Sequence, residues 1–199
     1  MQDKKQAIFQ AVIQLTDAVG NPGELTISQI AQQAGIGKGT VYEYFSSKEQ
    51  VLWETVFHFV DCMLQAMEAS VRQGTFQQRF TQMLGTVREY MTANKTFFVS
   101  VFLNQNFGSL PGEFAQQAQE KKEQMHRRLF QLLYELLEQG KREEVICREN
   151  SKLDLTFAFL AMMGAMSQYS FGCENFVQVS ITQEEMFQFL YEKFVRLLK

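Results

Sequence analysis

Lys38, Thr40, Tyr42, Glu43 and Tyr44 crowd one short stretch near the amino end, with Lys48 just beyond. An ammonium, hydroxyls and a carboxylate at this spacing form no bond-breaking constellation. They are hydrogen-bonding groups of the kind that hold phosphate oxygens and read base edges. Gly35, Gly37 and Gly39 imitate a phosphate-cradling loop by spacing, but no strand precedes them as such a loop requires. No nucleophile elbow or zinc signature is present, and there are only two histidines, so the chain reads as neither an enzyme nor a cofactor carrier. Glu54, His58 and Asp61 fall at i, i+4 and i+7 and could hold a divalent ion. Three such groups on one stripe more often form a solvated face, and metal sensing is kept as an alternative. His126, beside Arg127 and Arg128, reads as part of a solvated face.

The stretch from Thr26 to Phe45, TISQIAQQAGIGKGTVYEYF, predicts the elements that position these groups. Thr26 followed by Gln29 is a capping-box pair that opens a helix. Ile27, Ile30, Ala31 and Ala34 then recur with helical spacing, leaving Gln29, Gln32 and Gln33 wet. Gly35 suits the left-handed residue that ends a helix tightly, Ile36 turns inward, and Gly37 starts the next segment. From Lys38 a second short helix runs to Phe45, with Val41 and Phe45 inward and Lys38, Thr40, Tyr42 and Glu43 outward. This is a helix-turn-helix that presents its second helix to DNA.

From about Phe9 to Val56 the chain resembles the DNA-binding domain of the TetR (tetracycline-repressor) family of bacterial regulators. The resemblance rests on LTISQIAQQAGIGKGTVYEYFSSKEQVL, on the upstream helix with Ala7, Ile8, Ala11 and Leu15, and on the Gly-x-Gly-x-Gly-Thr-x-Tyr-x-x-Phe-x-x-Lys spacing. It implies phosphate contacts from Thr26, Thr40, Tyr42 and Lys48, and base reading by Lys38, Gly39, Glu43 and Tyr44. Tyr44 stands where many members have His, so a contact survives there without a group that titrates near neutral pH. Glu43 either accepts from a cytosine amino group or points away from the polyanion.

A chain of 199 residues can bury a full core and holds one or two domains; two are expected, a DNA-binding domain over 1–50 and an effector-binding and dimerisation domain over 51–199. Net charge is −3, and within residues 1–52 five acids face four lysines, so DNA affinity must rest on a few placed cations, hydroxyls and backbone N–H groups. Cys62, Cys147 and Cys173 lack metal-type spacing and suit reduced thiols. The most apolar stretch, Leu155 to Met166, is too short to span a bilayer and no charged-then-apolar leader opens the chain, so a cytoplasmic location is expected.

Only two prolines and no alternating β-branched runs predict an all-α chain of about nine helices. Box-like starts at Thr26, Ser46 with Glu49, Thr75 with Gln78, Ser151 with Asp154, and Thr182 with Glu185 punctuate the map. Helix four should run to about Gln73, helix six over Lys95 to Phe107, and helix seven from Pro111 to Gln139, broken at Gly140. The fourth helix, the covalent path out of the reading head, is the natural lever for a signal.

Helices eight and nine carry apolar residues around too much of their circumference for one buried stripe, so one face should meet a second copy of the chain. Phe159, Met163, Phe187, Leu190, Tyr191 and Phe194 are the expected interface residues. The resemblance implies the same dimer, a four-helix bundle, and two-fold symmetry predicts a palindromic operator with half-sites about 34–36 Å apart. Nineteen phenylalanines and ten methionines suggest an adaptable apolar cavity as well as ordinary core. Phe98, Phe102, Asn104, Gln105, Phe130, Tyr134, Met162, Met166 and Tyr169 are its candidate lining. The expected protein is thus a ligand-responsive regulator, a repressor released by a hydrophobic or aromatic small molecule. Its rivals are a DNA-binding dimer without small-molecule control, and a helical interaction module that only kept the fold.

Overall fold

In the computed structural model, which describes residues 2–101, 112–147, 149–171 and 181–199, the chain is helical, with nine α-helices and one 3-10 turn among the described residues. They are α1 (Gln2–Val19), a 3-10 turn (Pro22–Glu24), α2 (Ile27–Gln33), α3 (Lys38–Tyr44), α4 (Lys48–Ser70), α5 (Phe76–Ala93), α6 (Lys95–Val99), α7 (Gly112–Arg142), α8 (Lys152–Phe171) and α9 (Gln183–Leu198). Four of the expected capping boxes carry both reciprocal hydrogen bonds, at Thr26, Thr75, Ser151 and Thr182. At the third, the Ser151 hydroxyl and then its N–H hold the Asp154 carboxyl below its ordinary range.

The start of α4 differs by one residue from expectation. Ser47, not Ser46, accepts from the N–H of Gln50 at 3.1 Å, while the Gln50 side chain accepts from the Ser46 N–H at 2.7 Å. The sequence Ser46-Ser47-Lys48-Glu49-Gln50 offers two overlapping boxes, and burial of Val51 and Leu52 fixes the phase. Helix α7 also departs from expectation: Gly140 lies inside it, with the Phe76 ring 3.0 Å from where a Cβ would stand. The glycine is there for the close approach of a ring, and the chain turns only at Glu144, whose φ is +57°.

By contacts the chain forms two compact units, 1–64 with 93–127, and 65–92 with 128–199. In the first, Ile8, Val12, Ile30, Val41, Phe45, Val51 and Leu52 are buried, and α6 joins them through an edge-on pair of Phe97 with Phe59 at 5.2 Å. Ser100 donates to the Gly20 carbonyl, closing α6 onto the end of α1. The first half of α7 also belongs here: Phe114 and Ala118 cluster with Phe57, and Trp53 and Met125 pack beside them.

In the second unit α5 buries Phe76, Phe80, Met83, Leu84, Val87 and Met91. Facing them, α9 brings Tyr191 and Phe194 onto Phe76 and Phe80, with ring centroids 4.8–6.5 Å apart. Burial, with Glu143 nearby, raises the Tyr191 phenol above its ordinary range. Of the residues expected at the interface, Phe187, Leu190 and Phe194 are buried within the protomer, Tyr191 stacks there, and Phe159 and Met163 are half-buried. The apolar side chains left outside are others. On α8 Leu153, Phe157 and Leu160 are 76, 70 and 62% exposed, a stripe at i, i+4 and i+7, and α9 leaves out Phe189 and Leu197. Periodicity announces that a helix has apolar stripes; it cannot say which of two faces inward when a helix is apolar all round.

The C-terminal end of α9 is tied down by polar bonds. The Cys147 N–H and the Asn150 amide both donate to the Leu198 carbonyl, so the α7–α8 connection satisfies an acceptor that the helix end leaves open.

Candidate nucleic-acid interface

The turn between α2 and α3 is a Schellman closure. Gly35 sits at φ +67°, its N–H donates to Gln32, and the Ile36 N–H reaches back to the Ala31 carbonyl at 3.0 Å. A Cβ here would force a left-handed conformation that side chains resist. The closure aims α3, which Gly37 opens in extended conformation without a side-chain cap. Val41 and Phe45 anchor it inward, fully and almost fully buried. Lys38, Gly39, Tyr42 and Glu43 form the outward stripe at i, i+1, i+4 and i+5, with Tyr42 51% exposed; Thr40 and Tyr44 are half-buried at its edges.

Gly39 carries a specific argument. A Cβ there would meet nothing within 4 Å, so neither packing nor backbone geometry within the chain demands glycine. Glycine in a helix costs roughly 0.5–1 kcal/mol against alanine, and what it gains is room for something to approach the backbone closely. Gly39→Ala is therefore expected to leave the melting temperature equal or higher and to weaken DNA binding, measurable by thermal denaturation beside gel shift.

Two of the expected contacts are engaged within the chain. The Thr26 hydroxyl donates to Gln29 Oε1 at 2.7 Å while accepting from the Gln29 N–H. Lys48 Nζ donates to the Gly23 carbonyl at 2.8 Å, tying the 3-10 turn to the start of α4; an ammonium keeps two further donors.

Glu54 serves neighbouring cations instead of forming an ion-binding triad. Its carboxylate meets Lys121 Nζ at 2.8 Å and Lys5 Nζ at 3.6 Å. His58 stacks on Phe9 with centroids 4.8 Å apart, and its nitrogens lie 3.7–3.9 Å from the Cys62 thiol. Burial lowers the imidazole pKa and raises that of the thiol. Among the described residues no group of three His, Cys, Asp or Glu is placed to hold a metal.

The residues expected to line an effector cavity have separate surroundings. Phe98 is core in the first unit, and Met162 and Met166 are core in the second. Tyr169 donates to the Ile181 carbonyl. Phe130 and Tyr134 are surface residues, 45 and 59% exposed, because α7 turns Leu132, Leu133, Leu136 and Leu137 inward instead. Phe102, Asn104 and Gln105 lie outside the described residues. Sequence reading passed over Lys5 and Lys121, for which no local pattern gives a signal: Lys121 meets a carboxylate 67 positions away.

An exposed two-turn helix, closed against its neighbour by a Schellman turn and carrying a lysine, a tyrosine and a bare glycine outward, defines a helix-turn-helix protein of the DNA-binding class. Residues 20–55, which hold α2, α3 and the start of α4, match the model of the family described as bacterial regulatory proteins, tetR family. Solved structures share the whole fold. A TetR-family transcriptional regulator from Vibrio parahaemolyticus is 21% identical over 98% of each chain, with a TM-score of 0.69. A tetR-family regulator from Shewanella sp. PV-4 is 22% identical, covering 98% of this chain and 97% of its own, with a TM-score of 0.64. FadR from Bacillus subtilis, solved with stearoyl-CoA, is 17% identical over 98% and 99% of the two chains, with a TM-score of 0.70. No curated protein matches the sequence significantly. Among the described residues no helix is long and apolar enough to cross a membrane.

Proposed function

We propose that the protein is a cytoplasmic, ligand-responsive repressor that binds a palindromic operator as a homodimer and is released by a hydrophobic or aromatic small molecule. The outward stripe of α3 carries the reading: Lys38, Gly39, Tyr42 and Glu43 face away from the core that Val41 and Phe45 anchor. Residues 1–50 read DNA, with Thr26, Thr40, Tyr42 and Lys48 on phosphates and Lys38, Gly39, Glu43 and Tyr44 toward base edges, while residues 51–199 dimerise and bind the effector. Two copies joined through the exposed stripe of α8 would present two α3 helices to successive major grooves. The fold shared with FadR, a protein solved with stearoyl-CoA, supports an apolar effector. Release requires only that the effector favour the state that does not fit DNA; a few kcal/mol of differential affinity suffices.

Selection of bound sequences from random DNA by the purified protein tests this reading, and an inverted repeat is the expected product. On that site Tyr42→Ala should weaken binding to all sequences while leaving the dependence of log K on log salt unchanged, since a neutral hydroxyl displaces no counterion, whereas Lys38→Ala should relax the preference at particular base pairs. Unaltered affinity in both variants would remove α3 as the reading element.

A further inference from the structure

Helix α7 meets the reading head at two places within one compact unit. Its first turn forms a cleft of about 590 Å³ with the end of α3 and the start of α4, lined by Tyr42, Tyr44, Ser46 and Gln50 on one side and Phe114 and Gln117 on the other. Farther along, Lys121 lies 2.8 Å from Glu54 while its ammonium stands 5.5 Å from the Phe57 ring centre and 5.9 Å from that of Phe114. The same Glu54 carboxylate holds Lys5 of α1, whose ammonium stands 5.2 Å from the ring centre of Phe45, the residue that closes α3. The Glu54 side chain is only 12% exposed, so the two cations neutralise a carboxylate that water reaches poorly. Lys121, Glu54, Lys5 and Phe45 thus form an unbroken series from α7 to the end of the recognition helix. No covalent path near in sequence does this.

We propose that the first half of α7 is a working part of the reading head, and that Lys121, through Glu54 and Lys5, is a positioning residue for α3. The inference rests on the DNA-reading function given above. Lys121 touches no DNA in this scheme: it restricts the orientations of α3, so that less ordering remains to be done when the operator binds. Because α7 continues as one helix to Arg142, Lys121 is also where a displacement of that helix would reach α4.

The test uses the full-length protein and the operator recovered by selection. Lys121→Met keeps the alkyl stem on Phe57 and Phe114 and removes the charge; Glu54→Gln removes the other partner. Lys121→Met is expected to weaken operator binding about five-fold and Glu54→Gln at least as much, since it also releases Lys5, and the double variant to be no weaker than Glu54→Gln alone, because without the carboxylate Lys121 has no ion-pair partner left to lose. The slope of log K against log salt should match wild type, because no phosphate contact is lost. Amide exchange without DNA is the second measurement: residues 38–45 should exchange faster in K121M. Operator affinity within two-fold of wild type, or exchange in 38–45 unchanged, overturns the proposal. A slope reduced by about one overturns it too, by making Lys121 a phosphate contact. Failure of the wild-type protein to select any DNA would count against the DNA-reading function, and the exchange measurement would still decide whether Lys121 orders α3.

Discussion

Replacing Phe157 and Leu160 together by glutamate is expected to leave each protomer folded, abolish the dimer, and with it abolish operator binding at physiological salt. In the isolated chain both side chains stand 70 and 62% exposed, so the carboxylates meet water and the helix is not asked to bury them. Only in a dimer would they lie against a second apolar surface, where an unpaired charge costs several kcal/mol. Sedimentation equilibrium should show the dissociation constant raised by a factor of about 100 or more, while far-ultraviolet circular dichroism stays that of wild type. Loss of the dimer halves the reading surface, and the second α3 no longer benefits from the first being bound. A double variant that sediments as a dimer would place the interface elsewhere and return attention to Phe189 and Leu197 of α9.

The second large effect is expected inside the second unit. Phe80 is 1% exposed and meets Phe76, Tyr191 and Phe194, so Phe80→Ala removes the ring at the centre of the α5–α9 contact. The expected loss is about 3–5 kcal/mol of stability, the range for a buried phenylalanine whose neighbours cannot collapse into the space. Thermal denaturation should show a fall of roughly 10 °C or more. Phe189→Ala, at a position 51% exposed, should change stability by only about 0.5 kcal/mol. Equal effects of the two substitutions would mean that α9 buries its opposite face.

These predictions fall on the part of the molecule where sequence and structure diverge. The reading head is almost wholly legible, because each of its parts is local: a threonine and a glutamine three residues apart make a cap, a glycine makes a Schellman turn, and Val41 and Phe45 set the phase of α3. The misplaced cap at Ser46 is the instructive exception, for local chemistry allowed two solutions and only burial of the following residues chose between them. Helix α9 shows the limit more plainly. Phe187, Leu190 and Phe194 form an apolar stripe that is buried within the protomer, with Phe194 packed on Phe80 of α5. Gly140 reads as a stop in the sequence because its purpose, room for Phe76, lies in another helix. The Lys5–Glu54–Lys121 group was invisible for the same reason, its members being spread over three helices and brought together only by the packing of their aromatic neighbours.

The outer stripe of α8, Leu153, Phe157 and Leu160, has a bearing on dosage. These side chains offer no charge and no directed bond, and in the proposed homodimer a newly made protomer hides them by finding its twin. For such a dimer the amount of paired protein at low abundance would grow as the square of the amount synthesised, and a modest change in expression would become a steep change in the occupancy of the proposed operator.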